Sequence, residues 1–130
     1  MQNTGLEKNK FNVVSFEYDF SKDGGAIGAI TLDNDILPDD AVIVGGGIEV
    51  KTAFVGATAT IAFGVNTTTD VLGATAVATF SAGALIDAIQ DMAMSNGIKT
   101  AAKKNLTMTI AVAALTAGRA VVYLYYVLGV

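Results

Sequence analysis

Cysteine, histidine and tryptophan are all missing from this 130-residue chain, and proline occurs once. Without cysteine there are no disulfides, thiolate nucleophiles or thiolate metal sites, which is compatible with a reducing compartment. Without histidine there is no imidazole for a Ser-His-Asp or Cys-His arrangement, and no ordinary charge switch near neutral pH. No residue set matches an established nucleophile or ligand constellation, so the expectation is a protein that is not an enzyme and uses no metal and no cofactor. Charge is scarce too: 15% of residues are charged, against 52% apolar, with a net charge of −4. The eight basic residues are spread thinly, Lys103 and Lys104 being the one adjacent pair, and aromatics do not interleave with them. A nucleic-acid surface needs a clustered basic footprint, so no nucleic-acid partner is expected. Long apolar runs are also lacking: the longest candidate, Ala120 to Val130, falls short of the ~20 residues of a spanning helix, which argues against a membrane protein. The opening residues MQNTGLEKNKFN are polar with no apolar signal core, so no secretory targeting is expected.

The chain does contain strand patterns. Ile36 to Phe54, ILPDDAVIVGGGIEVKTAF, holds the proline, a glycine triplet and clear alternation. Pro38 fixes its own φ and pushes Leu37 toward extended geometry, while Asp39 and Asp40 suit a turn, so a strand should begin at Ala41. Beyond the glycines, Ile48, Val50, Thr52 and Phe54 alternate with Glu49, Lys51 and Ala53, the mark of a half-buried strand. Gly45, Gly46 and Gly47 inside such a pattern indicate a bulge, bend or close backbone approach, and we read them as a corner. A phosphate cradle would need a helix after the glycines, and a strand pattern resumes instead.

Residues 1–10 read as a polar arm and residues 11–130 as a single domain. Phe11 to Phe20 alternates as a strand. SKDGG, Ser21 to Gly25, reads as a turn, and Ala26 to Leu32 as a weaker strand. Asp33, Asn34 and Asp35 form an acidic loop before Pro38. DNDILPDD has calcium-like oxygen density but lacks the calcium-loop glycine and terminal glutamate, so a solvated turn is favoured. Ala57 to Val65 reads as a strand with Ala59, Ile61, Phe63 and Val65 on one face, and Val71 to Phe80 as a further, small-residue strand. Leu85 to Met94 carries helical spacing and predicts at most one short helix. Asp87 and Asp91 could be paired carboxylates, but they lack a partner and read as exposed acids. Asn105 to Leu115, the turn Thr116-Ala117-Gly118 and Arg119 to Val127 read as a closing hairpin. The last strand is apolar on both faces, which calls for cover by a neighbouring subunit. Tyr123, Leu124, Tyr125 and Tyr126 should therefore divide between subunit core and oligomer interface. About eight strands with little helix predict an all-β fold, a β-sandwich or a closed barrel rather than an α/β fold, with an antiparallel, jelly-roll-like sandwich as the first choice.

The order DNDILPDDAVIVGGGIEVKTAF, GATATIAFGV, DVLGATAVA and NLTMTIAVAALTAGRAVVYLYYV, over roughly Ile27 to Val127, resembles capsid decoration, or cement, proteins of tailed bacteriophages. That resemblance implies a β-sandwich homotrimer on the capsid exterior of the virion, made in the host bacterial cytoplasm, that clamps neighbouring major capsid proteins. It carries no catalytic motif. On this reading the polar arm, with Gln2, Asn3, Leu6, Lys8 and Lys10, is the candidate capsid contact. The alternative is a fibre or adhesin-type jelly-roll module binding surface glycans, for which a cluster of exposed aromatics would be expected.

Overall fold

A computed structural model describes residues 12–88 and 97–128. Its elements are β1 (Asn12–Asp19), a one-turn helix α1 (Phe20–Asp23), β2 (Gly28–Leu37), β3 (Ala41–Val55), β4 (Thr60–Gly64), β5 (Leu72–Ala76), a 3₁₀ turn (Val77–Thr79), β6 (Leu85–Ala88), β7 (Ile98–Lys99), β8 (Lys104–Ala111) and β9 (Ala117–Leu128). One sheet runs β1-β9-β3-β6, with β7 also on the edge of β3, and the other runs β2-β8-β4-β5. All pairings are antiparallel. This order, in which nearly every connection crosses from one sheet to the other, is the double Greek key of a jelly roll.

Alternation decides which side chains meet between the sheets. From the first sheet come Val14, Phe16 and Tyr18 of β1, Ile48, Val50 and Phe54 of β3, and Ala120, Val122 and Leu124 of β9, all buried. They face Leu32 of β2, Ile61 and Phe63 of β4, and Leu106, Met108 and Ile110 of β8. An aromatic row marks one end of this core: Phe54 stacks on Phe80 with ring centroids 4.9 Å apart, and Tyr18 lies tilted 5.5 Å from Phe54.

The turn at Pro38 forms as its residues require: Asp39 and Asp40 make the turn, Asp40 takes a φ of 61°, and β3 starts at Ala41. Buried Thr100 fastens it, its hydroxyl accepting from Ala41 N at 2.9 Å and donating to the Pro38 carbonyl at 2.8 Å.

Several expectations are corrected. The glycine triplet is not a corner that ends a strand, since β3 runs through it, with a register shift between Ile43 and Gly45. What the triplet permits is close approach: a Cβ on Gly46 would lie 2.5 Å from the Tyr123 carbonyl oxygen. The acidic loop Asp33-Asn34-Asp35 lies within β2, at an irregularity between Leu32 and Leu37 that frees these residues from regular pairing. Leu85 to Ala88, expected to start a helix, is strand β6, because pairing with Gly46 to Glu49 overrides a weak helical period; residues 89–94 of that expectation lie outside the described residues. Among the described residues the short α-helix is α1, which takes Phe20 from the end of the expected first strand and Ser21 to Asp23 from the expected SKDGG turn, with Asp19 as its N-cap accepting from Ser21 N. Finally, β8 and β9 are not a hairpin. They belong to opposite sheets, and the segment between them is a corner at which Val112 takes a φ of 72°.

Candidate interaction surfaces

With the cores of both sheets facing inward, the outer face of β1-β9-β3-β6 carries the side chains that point away from the core. Cross-strand register sets its composition, because directly paired residues share a face. Tyr125 stands between Val13 and Gly45, and Tyr123 between Ser15 and Gly47. Neither glycine raises a side chain beside the tyrosines, so the rings border a low shelf on β3. Val13 is 57% exposed, and at the β6 edge Leu85 is 80% exposed. Asp87 shares this face opposite Gly47; Asp91 lies outside the described residues.

Register thus divides the four candidate interface residues. Tyr123 and Tyr125 are half-buried on the outer face. Leu124 is fully buried and belongs to the core. Tyr126, paired with Asn12 and Ile43, packs partly against the core at the far end of β9. The arm residues Gln2, Asn3, Leu6, Lys8 and Lys10 lie outside the described residues.

Toward the start of β9 the outer face becomes charged. Arg119 donates from Nε to Glu17 Oε2 at 2.7 Å, and Lys51 lies 3.2 Å from Glu49, with Val121 in register between Glu17 and Glu49. These ion pairs form a belt across the sheet.

Beyond the belt is an end of the sandwich that sequence inspection did not single out. Beside α1, whose Lys22 and Asp23 are exposed, four segments meet there: 24–28, 55–59, 77–83 and 112–117. Backbone bonds join them, with Leu115 N donating to the Gly25 carbonyl at 2.7 Å, Thr116 N to the Val55 carbonyl at 2.7 Å and Val77 N to the Ala59 carbonyl at 3.0 Å. None of these segments holds Asp, Glu, Lys or Arg. They carry three of the large apolar side chains that the fold leaves exposed, Ile27 at 60%, Val55 at 52% and Val112 at 66%. The signal was present as long charge-free stretches, but their convergence at one end is a property of the topology. The opposite end holds the Lys99–Asp40 ion pair, Asp39, Lys103 and Asp70, whose carboxylate accepts from Val65 N, Asn66 N and Thr67 N.

No family model and no curated protein matches the chain. Solved structures do match. A chain in the capsid of Ralstonia phage GP4 aligns with a TM-score of 0.66 and 20% identity, covering 95% of this chain and 87% of that one. The fold is shared with chains of bacteriophage capsids. A chain of the acidic stable capsid of Helicobacter pylori bacteriophage KHP30 gives a TM-score of 0.63 at 15% identity, covering 93% and 90%. One in the cyanophage Pam1 capsid asymmetric unit gives 0.64 at 20% identity, covering 92% and 86%. At these identities the likeness is one of fold.

Two of the four acids considered for calcium are otherwise engaged. Asp35 accepts from Ser15 N and Ile36 N, and Asp40 pairs with Lys99. Among the described residues no group of three or more His, Cys, Asp or Glu side chains could hold a metal ion. A shallow cleft lined by Glu17, Asp19, Lys22, Asp23, Asp33 and Asn34 flanks β1. In it, hydrogen bonds from the Ser21 side chain and backbone hold the Asp19 carboxyl below its ordinary range. Among the described residues, no helix is long and apolar enough to cross a membrane.

Proposed function

We propose that this chain is a virion structural protein that decorates the outer surface of a bacteriophage capsid as a homotrimer and stabilises contacts between major capsid proteins. The observation that supports this reading is the tyrosine-bearing outer face of β9, with half-buried Tyr123 and Tyr125 beside exposed Val13, on a subunit whose fold phage capsid chains share. Tyrosine is enriched where protein surfaces meet, because it offers large area at low entropic cost. The trimer closes on Tyr123 and Tyr125, with Val13 at the margin and the core leucine, Leu124, holding the strand in place from behind. The polar arm, with Gln2, Asn3, Leu6, Lys8 and Lys10, adds a tether to the shell.

Two measurements test the reading. Light scattering on the purified chain should give three times the subunit mass, and co-sedimentation with shells of the same virus lacking this chain should deplete it from solution. A stable monomer at micromolar concentration overturns the trimer, and failure to co-sediment overturns the capsid role. Glycan binding that vanishes in Tyr123→Ala would assign the tyrosine shelf to the fibre-type alternative instead.

A further inference from the structure

Among the described residues, β5 is the edge strand without a device that closes its free side. On β1 the outward amides of Ser15, Glu17 and Asp19 are met by side-chain oxygens of Asp35, Asn34 and Asp23. β2 carries Asp33 and Asp35 and loses register between Leu32 and Leu37, β6 carries Asp87, and β7 carries Lys99. Caps, irregularity and charges of this kind keep sheet edges from pairing with other chains. β5, Leu72 to Ala76, has no charged residue and no proline, and its own register shift lies toward Leu72, leaving Thr75 and Ala76 in regular pairing with Ile61 and Thr60.

The backbone shows which groups that edge offers. Val77 N donates to the Ala59 carbonyl, so across the trans peptide the Ala76 carbonyl turns away from β4. Alternation turns the Ala76 amide and the Ala74 carbonyl the same way. Gly73, Ala74 and Ala76 are exposed and too small to screen these groups. The edge is self-complementary: with two copies of β5 antiparallel and centred on Thr75, the Ala76 amide of each donates to the Ala74 carbonyl of the other. Thr75 then faces Thr75, a cross-strand pair that sheets favour, and no like charges meet. We propose, resting on the virion reading above, that the β5 edges of neighbouring copies pair in this way across a two-fold axis, tying decorating units to one another on the shell. So short a strand pair does not hold free copies together at micromolar concentration. A shell that already seats the copies side by side raises their effective concentration to the millimolar range, where it closes.

The test uses the full chain carrying Thr75→Cys, in which the new thiol is the sole one, bound to shells of the same virus lacking this chain and then mildly oxidised. In the proposed register the two Thr75 Cα atoms lie about 4.5 Å apart, within disulfide reach, so linked pairs should form. Gly73→Cys displaces the thiols by about 13 Å along the strands and should give few. Adding Ala76→Pro to Thr75→Cys removes the amide that donates, and should slow linkage about tenfold or more. Ala76 already has a φ of −61°, so proline fits the fold there, and the melting temperature should equal the parent's. Linkage by Thr75→Cys no faster than by Gly73→Cys, or undiminished by Ala76→Pro, overturns the pairing while leaving the virion reading intact. Loss of co-sedimentation in Ala76→Pro alone overturns it by assigning the edge to the shell protein. If the parent itself does not co-sediment, the virion reading fails and the pairing on the shell fails with it.

Discussion

Gly118 and Phe54 interlock where β9 enters its sheet. The glycine has a φ of 147°, and a Cβ there would lie 2.5 Å from Phe54 Cδ1, so the ring occupies the volume a side chain would need. Gly118→Ala combines backbone strain with overpacking and should cost about 2–4 kcal/mol. A urea titration would show it as a lower midpoint at unchanged slope; a midpoint equal to the parent's would mean that Phe54 is free to move. Tyr18 offers a test by pH. Burial, and then the nearby Asp23 and Asp19, push its hydroxyl up to about 12 from 10.0, while the hydroxyl donates to the Gly24 carbonyl at 2.5 Å. The neutral phenol is therefore favoured in the folded state. Its contribution is complete below pH 10 and is lost as pH rises through 12. Stability should fall across that window, and Tyr18→Phe should flatten the fall; an equal slope in both proteins would place the alkaline weakness elsewhere.

At the scale of elements, β1 shows how a sheet edge can be closed without another strand. The amides of Ser15 and Glu17 are met by Asp35 Oδ2 and Asn34 Oδ1, each at 3.3 Å, from the opposite sheet. Unpaired edge amides invite pairing with other chains. Replacing both Asn34 and Asp35 by alanine should speed hydrogen exchange at Ser15 and Glu17 and raise turbidity with concentration. Unchanged exchange would show that the edge is protected by other means. These two residues also mark where the sequence was legible and where it was not. Alternation at Val14, Phe16 and Tyr18, at Ile48 to Phe54 and at Ile61 and Phe63 announces strands, because burial on one face imposes period two wherever the strand goes. Which sheet receives a strand leaves no such local trace. Met108 and Ile110 before the corner and Val122 and Leu124 after it alternate as they would in a hairpin, yet they line opposite walls of the core. The acids of β2 resembled a loop because their partners, the edge amides of β1, are distant in sequence. Leu85 lost its helical reading to pairing with Glu49.

For the whole molecule, side-chain direction along β9 separates assembly from folding. Tyr123→Asp with Tyr125→Asp should yield a folded monomer, since both lie on the outer face, whereas Leu124→Asp puts a charge into the core and should unfold the subunit. Circular dichroism together with light scattering distinguishes the two; a trimer that survives the double tyrosine change would move the self-contact off this sheet. The position of β9 has one more consequence, for biosynthesis. It is the last strand of the described chain to leave the ribosome, yet it lies between β1 and β3. Until it emerges, the earliest strand and the longest strand have no neighbour in common and both expose pairing edges. The first sheet cannot close before β9 has been synthesised, so its folding waits for that strand and proceeds slowly, through contacts between strands far apart in the chain.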